Sequence, residues 1–118
     1  MILWNDGATL ASERLPYQLQ LSPIQEFVVN DLDADGDMDV VSAGNWFVSE
    51  IETPRADAGV GAVLINDGSR QFSVLPSAES GFFANGDVRG LAGLRDDKGT
   101  LNLIVANNNA KTQVFTLR

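Results

Sequence analysis

Five aspartates alternate through nine residues, Asp31, Asp33, Asp35, Asp37 and Asp39, with Gly36 among them. Carboxylates at every second position of a loop can converge on one point when a glycine permits a sharp turn, and calcium takes six to eight oxygens at about 2.3–2.6 Å. The chemistry this spacing suggests is therefore a hard divalent cation. Asp31, Asp33 and Asp35 would supply carboxylates, Asp37 its backbone carbonyl and its side chain, and Asp39 would close the shell from the start of the following strand. Gly36 would make the turn. Without a cation, five carboxylates this close repel one another. Magnesium suits the loop less well, because it retains its waters and seldom takes an all-protein cage.

Other chemistries are excluded by composition. The 118 residues contain no histidine and no cysteine. That removes the thiolate nucleophile, the Ser-His-Asp and Cys-His arrangements, Cys/His zinc sites and disulfides. The formal net charge is −8, which argues against phosphate-backbone binding and hence against nucleic acid as a partner. Its distribution is uneven: Leu15 to Pro54 contains no Lys or Arg and holds Glu26, the five aspartates, Glu50 and Glu52, while the acids and bases elsewhere cancel.

The loop is not an EF-hand. That motif needs a bidentate Glu at position twelve and a helix on each side. Counted from Asp31, position twelve is Ser42, in the β-rich run Asp39-Val40-Val41-Ser42. The site belongs between two strands.

The chain also repeats itself. Leu3-Trp4-Asn5-Asp6-Gly7 returns as Leu64-Ile65-Asn66-Asp67-Gly68, and the segment from Asp31 aligns with that from Gly93. In this alignment Gly93, Arg95 and Asn102 replace Asp31, Asp33 and Asp39, Lys98 is inserted, and only Asp96 and Asp97 retain carboxylates. One metal site is predicted, with the second loop held by hydrogen bonds. Short apolar runs bounded by Asn, Asp and Gly predict an all-β fold with strands at 1–4, 9–15, 24–30, 38–43, 59–65, 71–75, 88–94, 101–106 and 113–117. No stretch sustains a helical period for three turns. Asn5-Asp6-Gly7 and Asn66-Asp67-Gly68 are hairpin turns. Four antiparallel strands in succession, repeated in tandem, suggest propeller-type blades. Residues 1–15 would be partial blade strands, 16–76 a blade carrying the acidic loop, and 77–118 a degenerate second blade, all in one domain. About two blades cannot close a ring, so either self-association into a homo-oligomer or a place in a longer chain is expected.

The aspartate loop, preceded by Val28-Val29-Asn30 and followed by Asp39-Val40-Val41-Ser42-Ala43-Gly44-Asn45, resembles the calcium loop of FG-GAP/VCBS repeats. These occur in integrin α-subunit propellers and bacterial surface proteins. Gly61 to Gly68, Phe72, Glu79 to Phe83 and Gly86 to Arg89 resemble the closing repeats of bacterial VCBS-type propellers. The resemblance implies a calcium-stabilised, non-catalytic scaffold for adhesion to protein or carbohydrate, placed outside the cell or on its surface. Met1 to Gly7 lacks the basic and apolar regions of a secretory signal peptide, and no apolar run approaches the ~20 residues that span a bilayer, so no membrane insertion is expected. The start within a strand would suit a piece of a longer polypeptide.

Weaker candidates remain. Trp46, Phe47, Phe82 and Phe83 fall in predicted loops, where aromatics can stack on sugars or anchor a protein, or can instead cap a blade core. Gly59-Val60-Gly61 has two glycines of a dinucleotide fingerprint but no third and no following helix. Glu50, Glu52, Asp57, Glu79 and Asp87 could form a glycosidase acid pair only if folding set two of them about 5–10 Å apart.

Overall fold

The computed structural model describes residues 1–117 and is all-β apart from two short helical turns. Nine strands form three antiparallel sheets: β1 (Ile2–Asn5) with β2 (Leu10–Glu13); β3 (Ile24–Asn30), β4 (Asp39–Gly44), β5 (Ala62–Asn66) and β6 (Phe72–Leu75) in that order; and β7 (Val88–Arg95), β8 (Leu101–Asn107) and β9 (Gln113–Thr116). Every strand expected from the sequence is present, with ends shifted by up to three residues. The largest trim is at Gly59–Gly61, which stays outside β5; Gly61 takes φ +79°, where a Cβ would strike the Phe82 ring. Two turns escaped the strand pattern, a 3-10 turn at Tyr17–Gln20 and the one-turn helix α1 at Ser77–Ser80, each following a proline that fixes φ at its entry. No helix of the described residues is long and apolar enough to cross a membrane.

Strand alternation gives the middle sheet two apolar faces. Across one run Val28, Val41, Val63 and Leu75; across the other run Val29, Val40, Leu64 and Val74, each set aligned by the strand register. A sheet covered on both sides should read as near-continuous Val, Ile and Leu, and Asp39-Val40-Val41-Ser42-Ala43 does so after its first residue. The first face packs on the third sheet, where Val41, Ala43 and Val63 join Val88, Leu101, Leu103, Val105, Phe82 and Ala84 in the main core. The second face carries a smaller core of Leu19, Ala62 and Leu64 with Val40, Phe72 and Val74. Trp4 of β1 stacks on Phe72 there, ring centroids 5.9 Å apart.

The sheets therefore stack in chain order, and the duplication is visible in their hydrogen bonds. Gly7 N donates to Asn5 Oδ1 and Gly68 N to Asn66 Oδ1 in the two matching turns. Asn45 N donates to the Pro23 carbonyl and Asn108 N to that of Asp87, each beside a register shift at the start of the β3–β4 or β7–β8 pair. These matches correct the sequence alignment of the two loops. Asn30 faces Asp39 across one hairpin and Leu94 faces Asn102 across the other, so Arg95 stands at the place of Asp31 and the second loop is shorter than the first. Loop composition misled the alignment because Gly and Asp recur in both; the register of the paired strands is the firmer guide.

The connection after β4 is closed by one buried side chain. Asn45, at φ +79°, donates from Nδ2 to the carbonyls of Gly59, Asn85 and Gly86, and its Oδ1 accepts from Gly59 N. One amide thus holds the 45–59 loop against the segment leading into β7, satisfying backbone groups that burial would otherwise leave unpaired.

Candidate metal centre

The β3–β4 hairpin brings Asp31, Asp33 and Asp39 together. One carboxylate oxygen from each lies within 4.8 Å of the others. The turn between them needs left-handed backbone at Ala34, φ +65°, and at Gly36, φ +98°. Gly36 accepts that conformation without the steric cost a Cβ brings, and its N–H donates to Asp31 Oδ2 at 3.1 Å.

The three carboxylates differ in setting. Asp39 is fully buried and both its oxygens are already engaged: Oδ2 accepts from Leu32 N at 2.7 Å and Oδ1 from Asn66 N at 2.8 Å. Such charge-assisted bonds are strong, and here they tie the loop's entry and the end of β5 to the first residue of β4. Asp31 is half-buried, and its Oδ1 is shielded from solvent without a hydrogen-bond partner. A buried carboxylate oxygen with no donor is costly unless a cation faces it. Asp33 is exposed and accepts from Asp35 N at 3.3 Å. Its carboxyl is pushed above the ordinary value of 3.8, first by desolvation and then by the negative charges of Asp35 and Asp39.

The other two expected ligands lie outside the triad. Asp35 is exposed and accepts from Asp37 N at 2.9 Å. Asp37 turns its carboxylate toward Gly68 in the β5–β6 turn, close enough that a side chain on Gly68 would strike it. The loop thus brings three carboxylates together, while the tip is held by successive Asx-type bonds from Asp35 N to Asp33 and from Asp37 N to Asp35.

One cation-bearing side chain approaches from the neighbouring sheet. Arg95 donates to Asn30 Oδ1 at 2.6 Å, to the Asp31 carbonyl at 2.8 Å and to the Gly99 carbonyl at 2.8 Å. All three acceptors are neutral carbonyl-type oxygens, so the hydrogen bonds of the guanidinium bridge two loops without occupying the carboxylates. Beside it a cleft of about 220 Å³ opens between the second and third sheets, with Leu32, Asp33, Ile65, Arg95, Thr100 and Leu101 on its wall. The second loop is held by its own bonds, as expected: Asp96 Oδ1 accepts from the N–H of Lys98 and of Thr100, both at 2.9 Å, and Gly99 N donates to the Asp96 carbonyl.

The aromatic candidates separate. Phe82 is 1% exposed and packs edge-on to Phe115, centroids 5.1 Å apart, so it is a core residue and is withdrawn from the ligand surface. Its apolar neighbours lie on strands remote in sequence, and of the two readings given to these aromatics Phe82 takes the core one. Trp46 and Phe83 are exposed, and Phe47 is half-buried. Arg89 lies over the Trp46 ring at 4.4 Å and Arg55 over that of Phe47 at 4.5 Å, contacts of the cation–π type. Of the acids considered for hydrolysis, Asp87 is buried and ion-paired with Arg89 at 3.0 Å, while its Oδ2 accepts from Asn108 Nδ2; Glu50, Glu52, Asp57 and Glu79 sit exposed on loops and on α1. Sequence reasoning missed Asn45 and the bridging role of Arg95, since neither belongs to a spacing motif and both act across sheets.

Comparison with protein-family models, with curated proteins and with solved structures gives no match.

Proposed function

We propose that this chain is a calcium-binding, non-catalytic module of propeller-type blades that presents protein or carbohydrate ligands with a rigid surface outside the cell. The observation that carries the metal reading is the solvent-shielded, partnerless Oδ1 of Asp31 within the Asp31, Asp33 and Asp39 triad. The donor set suits calcium: all-oxygen, charged, in a loop with room for carbonyls and water to complete the shell. Asp31, Asp33 and Asp39 would hold the ion, with Asp35 and Asp37 near enough in sequence to join on a small change of the loop tip.

Blade character is supported by the stacking of unlike faces. Repeat-related rows of the second and third sheets point the same way, so the face that the second sheet turns to the third has as its counterpart an outer face on the third. Stacking of this kind continues rather than pairs off, and closes only as a ring. Exposed Trp46 and Phe83, with half-buried Phe47, provide aromatic surface of the kind that sugars and protein partners use.

Calcium that binds only the folded chain stabilises it by about 2.7 kcal/mol at a hundredfold excess over Kd, roughly 10 °C in a domain of this size. A melting curve in calcium and then in excess chelator should show that fall. Identical curves would remove the metal from the account.

A further inference from the structure

We infer that Asn85 is a site of spontaneous covalent modification, at which ring closure onto the Gly86 nitrogen yields isoaspartate and aspartate, and that the isoaspartate form opens the clasp Asn45 makes on the 45–59 loop.

Of the nine asparagines only Asn85 is followed by glycine. Glycine has no Cβ to shield its own nitrogen, so a preceding side-chain amide can approach it. Asn85 is exposed and lies between α1 and β7, outside any strand. Among the described residues neither its side-chain amide nor the Gly86 N–H makes a hydrogen bond; what Asn45 Nδ2 holds are the carbonyls of Asn85 and Gly86, at 3.2 and 3.1 Å. The reacting atoms, Asn85 Cγ and Gly86 N, are thus left unengaged. The fold also preserves the junction, because a Cβ on Gly86 would strike Asn107 Oδ1. A shielding side chain has no room there.

The chemistry needs only water. Gly86 N loses its proton and attacks Asn85 Cγ; the N–Cγ bond forms, the Cγ–Nδ2 bond breaks, and Nδ2 leaves as ammonia. Water then opens the succinimide at either of its carbonyls. Attack at the former side-chain carbonyl gives aspartate on an unaltered main chain. Attack at the former main-chain carbonyl gives isoaspartate, in which the chain runs through Cβ. One water is consumed and one ammonia released.

The two products differ in what they do to the clasp. Aspartate leaves both carbonyls where Asn45 meets them. Isoaspartate turns the Asn85 carbonyl into a carboxylate off the main chain and lengthens the path to Gly86 by one carbon, so the second carbonyl moves as well. Asn45 is fully buried, and its Nδ2 and Oδ1 also bind Gly59, at 2.8 Å each. A displaced acceptor leaves buried donor capacity unmet, which carries the full desolvation cost. The 45–59 loop, with Trp46 and Phe47, then opens more often from the segment that leads into β7.

Mass spectrometry of the full chain aged in mildly alkaline buffer tests this. Trypsin releases Gln71 to Arg89, whose only asparagine is Asn85, and Ala56 to Arg70, whose only asparagine is Asn66. The first peptide should exchange NH2 for OH, with isoaspartate identified by electron-transfer fragmentation, while the second stays unchanged. Asn85→Ser should keep the parent's circular dichroism and show no conversion. In the aged chain the Gly59 N–H should exchange about tenfold faster, the factor set by the net worth of one lost hydrogen bond. Asn85→Asp, which adds the charge without rerouting the chain, should protect Gly59 as the parent does. The proposal is overturned if Gln71 to Arg89 stays intact in the folded chain while a synthetic peptide of those residues converts. Parent-like protection of Gly59 in the aged chain, or equal loosening in Asn85→Asp, would overturn it too.

Discussion

The two hairpins of the repeat, β3–β4 and β7–β8, share a backbone plan and resolve the same problem by opposite means. Each has a loop that joins the first two strands at one end of its sheet. In the first, the buried carboxylate of Asp39 gathers two N–H groups from different segments, and two further carboxylates are brought beside it. In the second, Asn102 stands in its place, accepting from the Thr116 hydroxyl at 2.7 Å, and Arg95 replaces Asp31. One hairpin accumulates negative charge that an external cation can discharge; the other is shorter, tied by a neutral turn and a guanidinium. On the proposed reading a chelatable ion would serve the first hairpin and have no counterpart in the second.

The sharpest way to break this comparison is at the matched pair itself. Asp39→Ala would strand the N–H groups of Leu32 and Asn66 in a buried setting, at about 1–3 kcal/mol for each group left unpaired, so a loss of about 3 kcal/mol is expected in urea unfolding. Asn102→Ala, half-buried and bonded chiefly to one hydroxyl, should cost about 1 kcal/mol. Equal losses would mean that the two hairpins are braced alike. Next in size, Arg95→Ala should cost about 1–2 kcal/mol through its bonds to Asn30 and Asp31, and by removing a cation near the triad should tighten calcium binding by a few-fold. Weaker calcium binding in that variant would show that Arg95 positions the ligands.

The smallest effect concerns pH and has opposite signs in different turns. With chelator present, the raised Asp33 carboxyl makes its favourable contribution below its ordinary value of 3.8 and loses it as pH rises through the raised value. Parent and Asp33→Asn should therefore converge in stability near pH 3 and separate toward pH 6, the parent being the weaker. Asp67, held low by the Ser69 hydroxyl and backbone, and Asp6, held low by Arg70, behave inversely and lose their contribution as pH falls below 3.8. Saturating calcium favours the charged form of Asp33 and should reverse the first trend. The same trend with and without calcium would count against a cation at Asp33.

Much of this was legible from residues alone, for a physical reason. Period-two runs such as Ile24–Asn30 and turns such as Asn66-Asp67-Gly68 encode strands and hairpins locally, and all nine strands followed. The aspartate spacing marked the hairpin that carries the triad. What stayed hidden depends on contacts between sheets. Phe82 reads as a loop residue until Phe115 and the main core are set around it. Alternation marks five aspartates alike, whereas the carboxylates of Asp31, Asp33 and Asp39 are the ones that lie together. Arg95 reads as the counterpart of Asp33 until strand register moves it to the place of Asp31.

Calorimetric titration of the metal-free chain with calcium, run in parallel on Asp31→Asn, bears most directly on the central claim. The account predicts saturable heat from a single site in the parent and its loss in the variant while circular dichroism stays unchanged. No heat in the parent, or the same heat in both, would contradict it.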